Sequence, residues 1–204
     1  MWVVKLGGSL AHTQELVSWL EVAARCGRGR VALVAGGGGF ADQVRSAQDR
    51  WRFGDRAAHH MALLAMEQYA LMLQDLRPGL VAVRTGEETL AALENADTPL
   101  WLPSRMVLDA PDVAPSWDVT SDSLAAWFAQ KLGASHLVLV KSFPLKQPSM
   151  SAHSLREAGI VDRAFADYVK SNGLATRVLG RTDYDLFEKA LGEGTLSGTS
   201  VSAD

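Results

Sequence analysis

Arg30-Val31-Ala32-Leu33-Val34-Ala35-Gly36-Gly37-Gly38-Gly39 is the stretch on which the fold turns. A short apolar run that stops at a cluster of glycines reads as a buried strand breaking into a turn. The same pattern stands at the start of the chain, where Trp2-Val3-Val4-Lys5-Leu6 ends at Gly7-Gly8-Ser9. Between the two, a helix beginning at Thr13 or Gln14 places Leu16, Val17, Leu20, Ala23 and Ala24 on one face and stops at Gly27 and Gly29. Strand, helix, strand, with glycines at both strand ends, is the pattern of a parallel α/β sheet. Ligands of such sheets gather at the carboxyl ends of the strands.

The rest of the chain continues the alternation. Residues 40–49 and 56–76 read as helices, the second stopped by Pro78-Gly79. Strands follow at 80–83 and 100–102, with a short helix at 87–94 between them. Residues 103–117 form a proline-containing loop with a small strand expected at Met106-Val107-Leu108. A helix over 122–132 leads to His136-Leu137-Val138-Leu139-Val140, the clearest central strand of the second half. Residues 141–150 read as loop. Helices are expected at 154–158, 163–171 and 184–191, and a strand at 175–179. The tail from Gly194 to Ser200 is rich in Gly, Ser and Thr. No repeat and no interdomain linker interrupts the 204 residues, so a single domain is expected.

Composition narrows the function classes. Hydrophobic residues make up 48% and charged residues 21%, and the net charge of −3 gives no basic surface for nucleic acid. Cys26 is the lone cysteine, which excludes an intramolecular disulfide and a cysteine-based metal site. With no signal peptide and no apolar run of about 18 residues, a cytoplasmic protein is expected, without membrane partners.

Three stretches carry chemistry. Lys5-Leu6-Gly7-Gly8-Ser9 puts an ammonium on the last turn of a strand beside glycines; these serve a tight turn or cradle phosphate oxygens on backbone N–H groups. Gly36 to Gly39 read either as a flexible surface loop or as a backbone seat for a ligand. In Trp117-Asp118-Val119-Thr120-Ser121-Asp122-Ser123, two carboxylates precede an apolar helix that Ser121 or Asp122 is able to cap. His59 and His60 stand near a helix start, in a position for capping, surface exposure, or donation to an anion near neutral pH.

In that order the three stretches resemble the amino acid kinase family, over nearly the whole chain. The implied fold is a three-layer αβα sandwich around a mostly parallel sheet, with an acceptor-binding half over about 1–135 and a nucleotide-binding half over about 136–204. Within the family, Gly39-Phe40-Ala41-Asp42-x-Val44-Arg45, Leu102-Pro103-Ser104-Arg105-x-Val107-Leu108 and Ser116-Trp117-x-Val119-Thr120-Ser121-Asp122-Ser123-Leu124 resemble the branch that phosphorylates an aminomethyl-furanmethanol phosphate in methanofuran biosynthesis.

The resemblance implies ATP and Mg²⁺ as cofactors, a small phosphate-bearing substrate as partner, and a homo-oligomer paired through the helix over 56–76. It implies that Lys5 approaches the transferred phosphoryl group, that Asp122 orients lysines, and that Lys170 is a second lysine on the nucleotide side. Gly7, Gly8 and Ser9 would hold ATP phosphates, with Gly180 and Arg181 in the nucleotide half. Gly36, Gly37, Gly38 and Gly39 would hold the acceptor and His59 its phosphate. Asp118, where relatives often carry an amide, would meet an ammonium on the acceptor. The family's Thr/Ser-Asp-x-x-Gly loop is replaced by Val140-Lys141-Ser142-Phe143-Pro144, so either Lys141 takes over nucleotide contacts or ATP binding is altered or lost. A kinase for another small phosphate, such as isopentenyl phosphate, and a non-catalytic binding or storage protein are the alternatives.

Overall fold

The computed structural model describes residues 1–169 and 174–203. Among these, β1 (Trp2–Leu6), β2 (Val31–Ala35), β3 (Leu80–Val83), β4 (Thr98–Trp101), β5 (His136–Lys141), β6 (Ser149–Ser151), β7 (Ala175–Gly180) and β8 (Thr199–Ser202) form one sheet, ordered β3-β4-β2-β1-β5-β7-β8-β6. The strands from β3 to β7 in that order are parallel, as the glycine-ended apolar runs imply. β8 runs antiparallel to β7, and β6 runs parallel to β8. The helices are α1 (Glu15–Cys26), α2 (Gly38–Trp51), α3 (Asp55–Leu76), α4 (Gly86–Glu94), α5 (Ser104–Val107), α6 (Ser121–Lys131), α7 (Ala152–Glu157), α8 (Phe165–Val169) and α9 (Tyr184–Glu193).

Because successive strand residues point to opposite faces, the sheet feeds two cores. Val4, Leu6, Leu33, Val138 and Val140 pack with Leu16, Trp19 and Leu20 of α1 and Phe187 and Leu191 of α9. Val3, Val34, Leu137 and Leu139 pack instead with Leu124, Ala125 and Phe128 of α6, Leu155 of α7 and Phe165 of α8. α3 spans both, giving Leu63 and Met66 to the second core and Tyr69 and Leu73 to the first. The result is the expected three-layer arrangement. Lys5 and Lys141 follow the parity of Val3 and Leu139, and this puts both on the α6 side of the sheet.

Three elements differ from the sequence reading. Met106-Val107-Leu108 is not a strand: Pro103 turns the chain away from β4, and the N–H groups of Val107 and Leu108 donate to the carbonyls of Pro103 and Ser104 as one helical turn. The last two strands at one end of the sheet, β8 and β6, lie in stretches that read as loop and tail. Thr199–Ser202 has a single apolar residue, Val201, yet it pairs with β7 because Gly198 (φ +115°) lies so close to Leu179 that a Cβ there would meet Leu179 Cδ2 at 2.5 Å. Ser149–Ser151 then pairs with β8.

Candidate functional site

The chemistry converges where β1, β2 and β5 end. β1 lies between β2 and β5, so the chain leaves the centre of the sheet in both directions there, the crevice in which open α/β sheets bind ligands. Lys5 is the fourth residue of β1, and Lys141 is the last residue of β5. Lys5 pairs in register with Leu139, two residues before Lys141. Their ammonium groups meet on Asp122 of α6: Lys5 Nζ stands 2.9 Å from Oδ1, and Lys141 Nζ donates to both carboxylate oxygens at 2.8 Å. All three side chains are buried.

Burial alone would raise the Asp122 pKa, but the two lysines outweigh it and hold the carboxyl down at about 2. Lys141 is lowered by burial and by the charge of Lys5, against the pull of Asp122. One carboxylate between two ammoniums leaves a cation-rich centre, suited to stabilising phosphoryl oxygens and unsuited to abstracting a proton.

Asp122 is held in place by a residue forty positions away. The first turn of α6 is capped by Asp162, whose carboxylate accepts from Thr120 N–H (2.9 Å), Thr120 Oγ1 (2.8 Å), Ser123 N–H (3.0 Å) and Ser123 Oγ. Neither Ser121 nor Asp122 caps the helix, contrary to expectation: Thr120 occupies the N-cap position without a capping bond of its own, and Asp122 is turned to the lysines. Ala164 N–H donates to Asp118 O, lacing the same two segments once more. Burial and the neighbouring Asp122 charge raise the Asp162 pKa, against the hydrogen bonds it accepts.

The two glycine loops interlock. A Cβ on Gly8 would stand 2.4 Å from Gly38 N, and one on Gly36 would stand 2.6 Å from Gly8 N. Gly38 also requires a left-handed backbone (φ +53°). Gly7 N–H donates to Val140 O and Gly36 N–H to Leu6 O, so these two amides serve the sheet and are not offered to phosphate. Gly39 has open space at its Cα. α2 begins at Gly38 with no side-chain cap, leaving first-turn N–H groups for an anion.

Beside these loops lies a cavity of about 390 Å³. Gly8, Ser9, Gly37, Gly38, Gly39, Thr120 and Ser121 form its polar wall, and Ala62, Leu63, Met66, Val119 and Leu124 form an apolar wall. Ala41, Asp42, Arg45, His12, His59 and Trp117 complete it. The Arg45 guanidinium lies 4.2 Å from the Trp117 ring centroid and 3.2 Å from Asp42 Oδ1. Trp117 Nε1 donates to Gln48 Oε1 at 2.6 Å.

The expected site residues thus separate. Lys5, Asp122 and Lys141 come together, while Gly8, Ser9, the glycines 37 to 39 and His59 face one cavity or its rim. Burial lowers the His59 pKa, its hydrogen bond to the Ser116 backbone opposes this, and His60 lowers it further. Asp118 is exposed outside the cavity lining, with Arg163 Nη1 3.5 Å from Oδ1. Lys141 turns inward onto Asp122, not outward along the altered loop. Gly180 ends β7 beside Lys141 and packs against Pro144. Arg181 is committed to α1, with its side chain 3.4 Å from Glu15 and its carbonyl accepting from Trp19 Nε1 at 2.7 Å. Lys170 lies outside the described residues. Sequence reasoning missed Asp162, whose partners are distant in the chain, and the Asp42–Arg45–Trp117 group. The helical spacing of residues 38, 42 and 45 was the available signal for the latter.

The profile of the amino acid kinase family matches residues 1–144. A [5-(aminomethyl)furan-3-yl]methyl phosphate kinase from Methanocaldococcus jannaschii is 26% identical over 141 residues, which is 68% of this chain and 64% of that protein, a little under two thirds of its length. A uridylate kinase from Archaeoglobus fulgidus superposes with a TM-score of 0.74 at 17% identity, covering 98% of this chain and 99% of that one. A UMP kinase from Bacillus anthracis gives 0.73 at 13% identity, over 100% and 96%. The three-layer fold and the family match agree: this chain belongs to the amino acid kinase family.

Proposed function

We propose that this chain transfers a phosphoryl group from ATP to a small phosphate-bearing acceptor, most specifically [5-(aminomethyl)furan-3-yl]methyl phosphate, making its diphosphate. The observation that carries the reading is the buried Lys5–Asp122–Lys141 triad at the switch point of the sheet. Phosphoryl transfer calls for positioning and positive charge more than for covalent chemistry. Lys5 and Lys141 supply that charge, and Asp122, ionised and bonded to both, fixes where it stands. An acceptor that is itself a phosphate is already ionised, so the centre needs no general base.

The cavity fits the acceptor half of the reaction. The α2 N-terminus, Ser9 and Ser121 bind the acceptor's phosphate, and the apolar wall from Leu63 to Met66 and Leu124 holds its ring. ATP enters from the side of β5 and β7, where Lys141 and Gly180 are neighbours. Mg²⁺ neutralises phosphate charge when bound. Among the described residues there is no group of three or more His, Cys, Asp or Glu side chains placed to hold a metal ion. Phe40, Met61 and Leu64 are exposed on α2 and α3, which supports pairing with a second copy through this face.

The test is ADP release with the furan phosphate at saturating Mg-ATP, using protein shown to be folded. Turnover that exceeds that with isopentenyl phosphate and UMP supports the reading. ATP binding without turnover of any of the three overturns it in favour of a binding protein.

A further inference from the structure

The outer end of the cavity holds a cation in a recognisable seat. Arg45 lies over the Trp117 ring at 4.2 Å and pairs with Asp42 at 3.2 Å. Each of these two partners lines the cavity, and so does Arg45. A carboxylate beside an aromatic face is the chemistry that recognises an ammonium. Trp117 is fixed before any ligand arrives: its indole N–H donates to Gln48 Oε1, and Gln48 Nε2 is itself held by Phe53 O at 3.1 Å and Asp55 Oδ1 at 2.9 Å. Arg45 is not fixed in this way. It is half exposed, and both its contacts are of the weak, solvent-screened kind.

We propose that Asp42 and Trp117 form the seat for a primary ammonium on the acceptor, and that Arg45 occupies this seat until the acceptor displaces it. The inference rests on the phosphate-acceptor reading above and adds the group that selects among such acceptors. Asp42 lies four residues beyond Gly38 on α2, about 6 Å along the axis. An acceptor whose phosphate sits at the α2 N-terminus therefore presents a substituent across one small ring to Asp42. Burial lowers the pKa of His59 in the same wall, which disfavours a second cation there. Asp118, the carboxylate the sequence points to, lies outside the cavity lining, beside Arg163.

The experiment measures binding by calorimetry on the full chain, with two pairs of esters. One pair is [5-(aminomethyl)furan-3-yl]methyl phosphate and its 5-methyl analogue; the other is an aminoalkyl phosphate and an alkyl phosphate of equal length. Wild-type protein binds the amine member of each pair about two- to fivefold more tightly, the range of an ion pair to a carboxylate as exposed as Asp42. Asp42→Asn removes that preference without weakening the amine-free esters. Arg45→Ala tightens the amine esters, because the internal competitor is gone.

Equal binding of both members by wild-type protein overturns the proposal, and so does a preference that survives Asp42→Asn or vanishes with Asp118→Asn. Weaker binding of all four esters in Arg45→Ala also overturns it, since Arg45 would then be an anion-binding residue. Failure of the kinase reading is separate: an ammonium preference with no ADP release leaves the seat intact and removes the reaction, whereas ADP release with no preference does the reverse.

Discussion

Lys5 and Lys141 share one carboxylate although they lie on different strands and 136 positions apart. Register places Lys5 opposite Leu139, and the period-two alternation of a strand turns Lys141 to the same face as Leu139. Asp122 on the overlying helix receives both ammoniums within 2.9 Å. In the proposed reading, Lys141 at the end of β5 therefore adds a second charge to the phosphoryl-transfer centre, where the chain departs from the family pattern.

Replacing either lysine tests this sharing. Lys5→Met and Lys141→Met are each expected to lower kcat by about 10²-fold or more, as loss of a preorganised charge at a transition state does. Steady-state kinetics with the furan phosphate separates the parameters. A change confined to KM in Lys141→Met would return Lys141 to a nucleotide-binding role.

Stability should respond to acid through Asp122. Its pKa is depressed in the folded chain from 3.8 to about 2, so its contribution is full above about pH 4 and is lost as pH falls toward 2. A depression of that size corresponds to roughly 2 kcal/mol. Asp162, raised in the folded chain, has the opposite slope: it costs stability as pH rises past its ordinary range. Urea unfolding between pH 2 and 5 of wild type and Asp122→Asn reads the difference; parallel curves would contradict the assignment. At neutral pH, Asp122→Ala leaves two buried ammoniums facing each other and is expected to cost about 3–5 kcal/mol.

The cap of α6 is supplied by a residue distant in the same chain, so Asp162→Ala should destabilise it by about 3 kcal/mol, from a lost cap and the buried donors left without an acceptor. Ser121→Ala should change stability by less than about 0.5 kcal/mol. Denaturant midpoints decide it, and the reverse ranking would restore the local cap.

The four consecutive glycines are not equivalent. Gly36→Ala forces a Cβ to within 2.6 Å of Gly8 N, backbone against backbone, and Gly8→Ala meets Gly38 N at 2.4 Å. Each is expected to cost about 1–3 kcal/mol, the usual range for overpacking. Gly39→Ala has open space and a helical position, and is expected to leave stability unchanged or raise it by up to about 1 kcal/mol. Thermal unfolding of the three variants is the check, and equal losses would mean the loops do not interlock.

Local pattern by itself determined the parallel sheet, the helices between its strands and the glycine loops at their ends, because hydrophobic period and turn chemistry are written within a few residues. It placed Lys5 and the glycines at strand ends for the same reason, while the partnership of Asp122 with lysines was implied by the family resemblance. Which carboxylate caps α6, which lysine completes the triad and which carboxylate faces the cavity were decided only by tertiary structure. Asp162, Lys141 and Asp42 reach their partners across the fold, through strand register and helix packing that no local window contains. Thr199–Ser202 repeats the point between β7 and β6: too polar to read as a strand, it becomes one because β7 offers backbone partners and Gly198 fits against Leu179.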